Sequence, residues 1–400
     1  MTHSATDNVP DVVIVGGGMV GLLLALSLAR QSTLRVLLLE ELAQEMLVQG
    51  SVNSFDGRST ALSRTTAALF RDLQLGNVIE AHSATISDIV ASERRGWGRF
   101  RLNADEEGVD ALGYVVENAS LGQELLRAAM QCPGIQLRFS CSVQSIEMQA
   151  ERTTLHVAGQ APVTTSLLVA ADGAHSRLRQ AMGIPVDVVD YAQSALVCNI
   201  RLSSPVPGLA IERFAPGEVV AVLPRLDGSR AVIWTAAPER VQQLKMASER
   251  RFSDELTQYL GTGQGRVLQR TPPVLYPLKK IIATQQVQPG RVVLGNAAHF
   301  LHPVAGQGFN LCVRDVQLLT QLLLEAWHQQ RPLGSLALLQ QYQQSRSRDQ
   351  QIIGTFSDAL VRLGTASFPG LRFVRSLGMS VLDQWPLSKR LLARMTMGAV

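Results

Sequence analysis

The segment 291–315, RVVLGNAAHFLHPVAGQGFNLCVRD, holds the densest set of residues suited to chemistry. A β-branched run, Val292-Val293-Leu294, leads into a loop of Gly, Ala and Pro that ends in Gly306-Gln307-Gly308. An apolar helical pattern starts at Phe309. Glycines at such a junction let the backbone approach a flat ligand, and the first N–H groups of a helix have no partner within it. Those donors and the positive end of the helix dipole make a seat for negative charge. A glycine-capped turn without a ligand would look the same, so the rest of the chain has to decide.

A second glycine cluster lies near the N-terminus. Residues 11–15 (DVVIV) read as a short buried strand that runs into Gly16-Gly17-Gly18-Met19-Val20-Gly21. An apolar helix over 22–30 and a second strand over 35–39 follow, and Glu40 stands at the tip of that strand. G-x-G-x-x-G at the first turn of a β-α-β unit, with an acid roughly 20 residues on, is the pattern that seats a pyrophosphate on a helix N-terminus. Glu40 would hydrogen-bond ribose hydroxyls and repel a 2′-phosphate, which favours FAD or NAD over NADP at this site. These residues alone do not separate FAD from NAD. A third cluster follows the strand pattern at 166–170: Asp172-Gly173, then His175 and Arg177. An Asp-Gly pair is also a common turn signal.

The elements that position these clusters can be read from pattern. Strand-like segments fill 137–139, 143–148, 153–157 and 166–170, and alternating strands recur over 195–235 (ALVCNIRL, EVVAVLP, RAVIWT), as in an antiparallel sheet. Residues 240–260 have a helical pattern, and helices dominate after Asp315 with an interruption near Phe368-Pro369-Gly370. Cofactor-type segments thus alternate with sheet-type insertions. The expected fold class is α/β (α+β): a Rossmann-like dinucleotide domain interleaved with an antiparallel-sheet substrate domain and a helical C-terminus. The expected boundaries give 9–75, 100–182 and 280–330 to the first, 76–99 and 183–279 to the second, and 331–400 to the helical region.

Composition narrows the class. The 400 residues are 46% hydrophobic and 18% charged, which suits a packed protein of about two domains. Net charge is +4, and 33 of the 37 basic residues are arginine, the better bidentate partner for phosphate and carboxylate. Genome composition could produce the same bias, and no nucleic-acid partner is expected. Cys132, Cys141, Cys198 and Cys312 have no metal-type or disulfide-type spacing, so no metal is expected and a reducing cytoplasm is. No signal peptide or uninterrupted span of about 20 apolar residues stands out.

With these segments in order, the chain resembles the single-component flavoprotein aromatic hydroxylases, and within them the ubiquinone-biosynthesis hydroxylases that act on methoxylated polyprenyl phenols. The resemblance rests on VIVGGGMVG (13–21), FDGRSTAL (55–62), VAADGAHSRLR (169–179), YPL (276–278) and the 291–315 segment, and covers nearly the whole chain. It implies tightly bound FAD held by Gly16, Gly18, Gly21, Glu40, Arg58, Gln123, Asp172, Gly173, Asn296, Gly306, Gln307, Gly308 and Asn310. It also implies NAD(P)H docking transiently, since no second G-x-G-x-x-G exists, with Arg177 a candidate for its phosphate. Two departures stand out. Gly295-Asn296 replaces the usual Gly-Asp, so the side chain keeps hydrogen-bonding capacity without charge, and Cys312 replaces a glycine.

The chemistry implied is reduction of FAD, formation of a flavin C4a-hydroperoxide with O₂, and oxygen transfer to an electron-rich phenol ring. The helix start at 306–310 would hold charge on the reduced flavin, and apolar strands 196–202, 219–224 and 232–235 would exclude water. Pro303 would face both flavin and substrate through its carbonyl. Tyr191, His302, Trp234 and Tyr276 are the polar candidates above the ring, although a histidine beside a buried cofactor is more often packed than basic. Six Arg/Lys against two Asp in 355–400, spaced among apolar residues, suit a membrane surface, a biosynthetic partner protein or the helix's own domain. A cytoplasmic protein peripheral to the inner membrane face is expected. Rival readings are a hydroxylase of a small soluble aromatic, for which Arg201, Arg213, Arg225 and Arg230 could bind a carboxylate, a flavin dehydrogenase without oxygen insertion, and a non-catalytic flavin-bound partner.

Overall fold

Two sheets set the architecture, and each follows from its sequence pattern. The computed structural model describes residues 9–49, 57–94, 96–150, 152–302, 306–365 and 371–398. The runs VVIV (Val12–Val15), VLLL (Val36–Leu39) and LLVA (Leu167–Ala170) are apolar and buried at every position. Such strands belong inside a parallel sheet covered on both faces. The sheet order is Val287–Gln288, Arg291–Val293, Leu167–Ala170, Val12–Val15, Val36–Leu39 and Ile135–Arg138, parallel except at the first pair. The three central strands each carry a glycine cluster at their C-terminal end, so the sheet brings Gly16, Gly173 and Gly295 to one edge. This is the edge at which parallel sheets bind ligands.

Helix Met19–Gln31 is buried over most of its length because it lies between this sheet and the helices Asn118–Met130 and Gln307–His328. Gly21 is required there, since a Cβ would stand 2.0 Å from the Gly16 carbonyl oxygen. The bend at the preceding turn is just as tight. Gly16 has φ +111°, and a Cβ would meet the Ala171 carbonyl oxygen at 2.4 Å.

The second sheet is long and mostly antiparallel. From one edge it runs His299–Phe300, Val274–Ala283, Val186–Leu202, Arg230–Ala236, Glu218–Pro224, Leu209–Ala215, Asp88–Glu93 and Arg99–Asn103, with Leu209–Ala215 and Asp88–Glu93 parallel to each other. Val267–Arg270 pairs beside Val186–Leu202. One face packs on the helices Pro238–Met246 and Glu249–Leu260 through a core that includes Leu196, Val232, Trp234 and Phe252. Two small sheets complete the fold: Ser59–Ser63, Gly113–Glu117 and Ser83–Ile86 in one, and Val143–Met148, Thr153–Val157 and Val163–Thr165 in the other.

The structure corrects two expectations. The boundary placed between residues 99 and 100 cuts a hairpin, because Arg99–Asn103 pairs with Asp88–Glu93 in the long sheet. The strand expected over 195–202 is the second half of a 17-residue strand whose first half, Val186 onward, pairs with 279–283 across an irregularity at Asp190/Gln193. Charged and polar residues in that first half hide its β character.

Three helices, Leu336–Thr365, Leu371–Gln384 and Pro386–Met397, end the chain. Two of the basic residues expected on a docking face are tied to the protein itself. The Arg375 guanidinium donates to both oxygens of Glu93 at 2.8 and 2.9 Å in a buried pair. Lys389 pairs with Glu106 at 2.9 Å, and Asp383 accepts from the Arg101 backbone N–H. No helix among the described residues is long and apolar enough to cross a membrane.

Candidate active site

A cavity of about 1830 Å³ connects the glycine edge of the parallel sheet to the inner face of the long sheet. At the glycine end it is lined by Gly16, Gly18, Glu40, Asp172, Gly173 and Asn296. Helix Met19–Gln31 starts at Gly18 with no side-chain cap and no acid in its first turn, so its leading N–H groups are left open beside the cavity. Glu40 is nearly buried and accepts from Gly17 N at 2.5 Å and Leu42 N at 2.9 Å. A carboxylate has about four lone-pair sites, so two remain for ligand hydroxyls.

The opposing wall is the start of helix Gln307–His328. Gly306 caps it in the left-handed region (φ 60°, ψ 23°), again with no side-chain cap. Gly306, Gln307, Gly308 and Asn310 all border the cavity. A Cβ on Gly308 or on Gly173 would meet no atom within 4 Å, so both glycines leave room on the ligand side. Two uncapped helix N-termini therefore face one cavity, each beside glycine walls that leave space. That donor set fits a long dinucleotide with a pyrophosphate at one helix and an anionic ring at the other.

Asn310 holds this wall rather than reaching across it. Its carbonyl accepts from Ser63 N and Thr66 Oγ1, both at 2.8 Å, and its amide donates to the carbonyls of Ala61 (2.9 Å) and Gly306 (3.0 Å). Asp172 likewise caps the Arg177–Ala181 helix by accepting from Ser176 Oγ and Leu178 N. Arg58 lines the cavity with its guanidinium over the Tyr276 ring, 4.7 Å from the centroid, which bridges the small sheet and the long one. Arg177 pairs with Glu41 at the cavity's rim.

Side-chain parity decides what the long sheet contributes. In Val186–Leu202, Ala195, Val197 and Asn199 line the cavity, while Leu196 and Ile200 enter the core on the other face. In Arg230–Ala236, Ala231 and Ile233 line it, and Trp234 does not. Trp234 is therefore removed from the expected catalytic set. It is fully buried, its indole N–H donates to Glu218 at 2.7 Å, and it packs edge-on against Tyr259. Gln123 is also displaced from its expected place. Its amide donates to the Val48 carbonyl at 2.8 Å, and it is not among the cavity's lining residues.

Tyr191 and His302 sit behind the wall. Their rings meet edge-on with centroids 5.0 Å apart, the Tyr191 hydroxyl donates to Asp358, and Asp358 also pairs with Lys280. Burial, reinforced by Asp358, raises the Tyr191 phenol far above its usual range, so it serves as a donor and not as a base. Burial lowers His302 to about 4, which keeps the imidazole neutral at pH 7. Pro303 lies outside the described residues. Cys312 lines the cavity as a buried thiol whose pKa burial pushes up, and Cys198 is pushed up to about 12 in the same way. Among the described residues no cluster suited to a metal ion occurs.

Sequence reasoning missed two features. Glu212 faces the cavity from Leu209–Ala215, together with Ala210 and Phe214 of the same parity. His299, Asp315 and Arg346 form a buried network in which Asp315 accepts from His299 and, at 2.5 Å, from Arg346. Burial alone would raise the Asp315 pKa, but its interactions with His299 and Arg346 overcome that and hold it below the usual value. This network fixes the strand His299–Phe300 to two helices. The available signal was an acid set inside an apolar helical pattern, which has to find a partner.

The sequence profile described as the FAD binding domain matches residues 10–356. The chain belongs to this family of FAD-dependent monooxygenases. This monooxygenase is 31% identical to the ubiquinone hydroxylase UbiL of Rhodospirillum rubrum over its full length, covering 92% of that protein. It is 30% identical to the 3-demethoxyubiquinol 3-hydroxylase of Escherichia coli, with 98% and 100% of the two chains covered. Among solved structures, p-nitrophenol 4-monooxygenase of Pseudomonas putida superposes with a TM-score of 0.80 at 20% identity, covering 98% of each chain. Members of this family bind FAD, and the glycine end of the cavity, with its two uncapped helices, has the donors that such a dinucleotide needs.

Proposed function

We propose that this monooxygenase hydroxylates the aromatic ring of a polyprenyl phenol on the route to ubiquinone. The observation that carries the reading is the size and character of the cavity beyond the glycine end. Ligand pockets commonly span about 300–1,000 Å³; the whole cavity, glycine end included, is about 1830 Å³, and its far walls include Phe100, Leu102, Phe214, Ile233, Met379 and Leu392. That leaves an apolar chamber for a ring and part of a prenyl tail. The hydroxylase relatives support the same substrate class.

NAD(P)H is the reductant, docking transiently at the surface, and O₂ the oxidant. Bound FAD would supply the redox chemistry by which NAD(P)H, a proton, O₂ and the phenol become NAD(P)⁺, the ring-hydroxylated phenol and water. The chain's own residues bind and shield. Gly16, Gly18 and the helix behind them would hold the pyrophosphate, Glu40 the ribose, and the N–H groups at the start of Gln307–His328 would stabilise negative charge on the ring. The apolar walls exclude water from the transfer, and Tyr276 and Glu212 offer polar groups facing the substrate.

A small carboxylated aromatic lacks comparable support. Arg213 donates to Ser92 and to the Leu260 carbonyl, Arg230 to the Val206 carbonyl, Arg225 pairs with Glu117, and Arg201 lies near Asp227. None of the four is among the cavity's lining residues. The deciding experiment is deletion of the gene followed by mass spectrometry of extracted lipids. Accumulation of a polyprenyl phenol with loss of ubiquinone is expected, and an unchanged quinone pool would refute the proposal.

A further inference from the structure

One face of the C-terminal helix Leu371–Gln384 carries large apolar side chains into solvent. Phe373, Leu377 and Val381 follow one another at four-residue intervals, and Trp385 continues the stripe. Phe373 is 61% exposed and Trp385 60% exposed. Trp97, itself 58% exposed, extends the patch sideways and meets the Phe373 ring edge-on at 6.1 Å. Its loop is locked against the helix, because a Cβ on Gly98 would collide with the Ser376 backbone at 2.2 Å. From Phe373 to Trp385 the stripe is about 18 Å long at 1.5 Å per residue. Scattered exposed apolar residues are ordinary, but a contiguous stripe of this kind marks an interaction surface.

Charge identifies the partner. Residues 371–398 contain five Arg/Lys and a single acid, Asp383. Arg375 and Lys389 are neutralised by Glu93 and Glu106, and Asp383 accepts from the Arg101 backbone N–H. The balance is cationic: Arg390 and Arg394 on the next helix and Arg99 next to the Trp97 loop, all exposed, against Asp383. Two tryptophans and aliphatic side chains in one stripe, with exposed arginines on the next helix and loop, match the boundary between anionic headgroups and acyl chains.

The same helix has its other side on the cavity. Met379 and Leu382 line the chamber, as do Leu392 and Thr396 of the next helix, and Leu382 is also exposed to solvent. We infer that the Leu371–Gln384 face docks this enzyme on an anionic phospholipid surface, with the chamber reached beside Leu382. The inference rests on the polyprenyl reading for its purpose but not for its geometry. A molecule drawn from a bilayer would then enter the chamber without its tail crossing bulk water.

The test uses the FAD-loaded full chain and sedimentation with vesicles of phosphatidylethanolamine and phosphatidylglycerol. Binding is expected, with a loss of at least about tenfold in the triple variant Phe373→Ser/Leu377→Ser/Trp385→Ser, since each such side chain is worth about that factor when buried. Arg390→Gln/Arg394→Gln should weaken binding to these vesicles and remove its salt sensitivity. Wild-type protein that stays in the supernatant, or a triple variant that binds as before, overturns the inference. So does a concentration-dependent dimer that the triple variant abolishes in the absence of vesicle binding. Should the triple variant not fold, quenching of wild-type tryptophan fluorescence by brominated lipid answers the question, because Trp385→Phe must lose part of it. Vesicle binding without turnover of any polyprenyl phenol would leave the docking face standing and refute only the substrate.

Discussion

Where the cavity is bounded by Gly16, Gly173 and Gly308 its walls are backbone, whereas around Phe214, Ile233 and Leu392 they are side chains from strands and helices far apart in sequence. The first region binds through N–H groups and close approach, so it tolerates almost no change in backbone geometry. The second binds through shape and apolar area, which many side-chain sets can supply. A single scaffold can therefore keep one cofactor fixed while its substrate chamber diverges.

Glycine substitutions give the sharpest way to break this contrast. Gly16→Val places a branched side chain at φ +111° and 2.4 Å from the Ala171 carbonyl oxygen, and should cost more than about 3 kcal/mol. Purified protein should be scarce, and its melting point and yellow absorbance should both fall. Gly308→Val points into open space on the ligand side, so the apoprotein should melt within about 1 kcal/mol of the parent while FAD affinity drops about tenfold or more. Equal losses of stability in the two variants would mean that Gly308 serves the fold and not the ligand.

Acid pH probes the chamber side. His302 titrates near 4 in the folded protein against a usual value of about 6.5. Below pH 6.5 the unfolded chain takes up a proton that the folded chain refuses, so this contribution is complete above 6.5 and is lost as pH falls toward 4. The loss is on the order of 3 kcal/mol. Urea titrations between pH 7 and 4 should show that slope, and His302→Gln should flatten it. An identical slope in the variant would place the lability elsewhere, for example in Asp315, which loses its own contribution as pH falls through the carboxylate range.

The smallest effect separates the two faces of the long sheet. Trp234→Phe removes the hydrogen bond to Glu218 and part of a buried contact, costing about 1–2 kcal/mol in a denaturant melt. Its kcat/KM should stay within about twofold, as expected of a residue outside the site. Ile233→Phe, one residue away and facing the cavity, should raise KM with little change in stability.

The same contrast explains what could be read from the sequence. Gly16 to Glu40, Asp172-Gly173 and Gly306 to Asn310 are short local patterns whose meaning lies in backbone conformation, and all three reached the cavity. Trp234 was misplaced because strand membership is legible whereas the buried face is not, when both faces of Arg230–Ala236 are apolar and buried at nearly every position. Tyr191, His302 and Asp358 lie far apart in sequence: strand pairing brings Tyr191 beside Lys280 and the His299–Phe300 edge before His302, and the helix Leu336–Thr365 carries Asp358 to Tyr191 and Lys280. Arg375 read as surface charge because nothing local points to Glu93, 282 residues earlier.

Strand Leu167–Ala170 lies between strands that begin at residues 12 and 291, and the last wall of the cavity includes Thr396. A ribosome meets these pieces in order. When the glycine turn at Gly16 emerges, the helix that faces it is some 290 residues from being made, since Gln307 begins it (307 − 16 = 291). The sheet cannot acquire its neighbour Arg291–Val293 until shortly before that helix, and the chamber cannot close before Thr396 is made. The two-walled cavity is thus a late acquisition in the life of each molecule, and a product cut short before Gln307 carries one uncapped helix of the pair without the other.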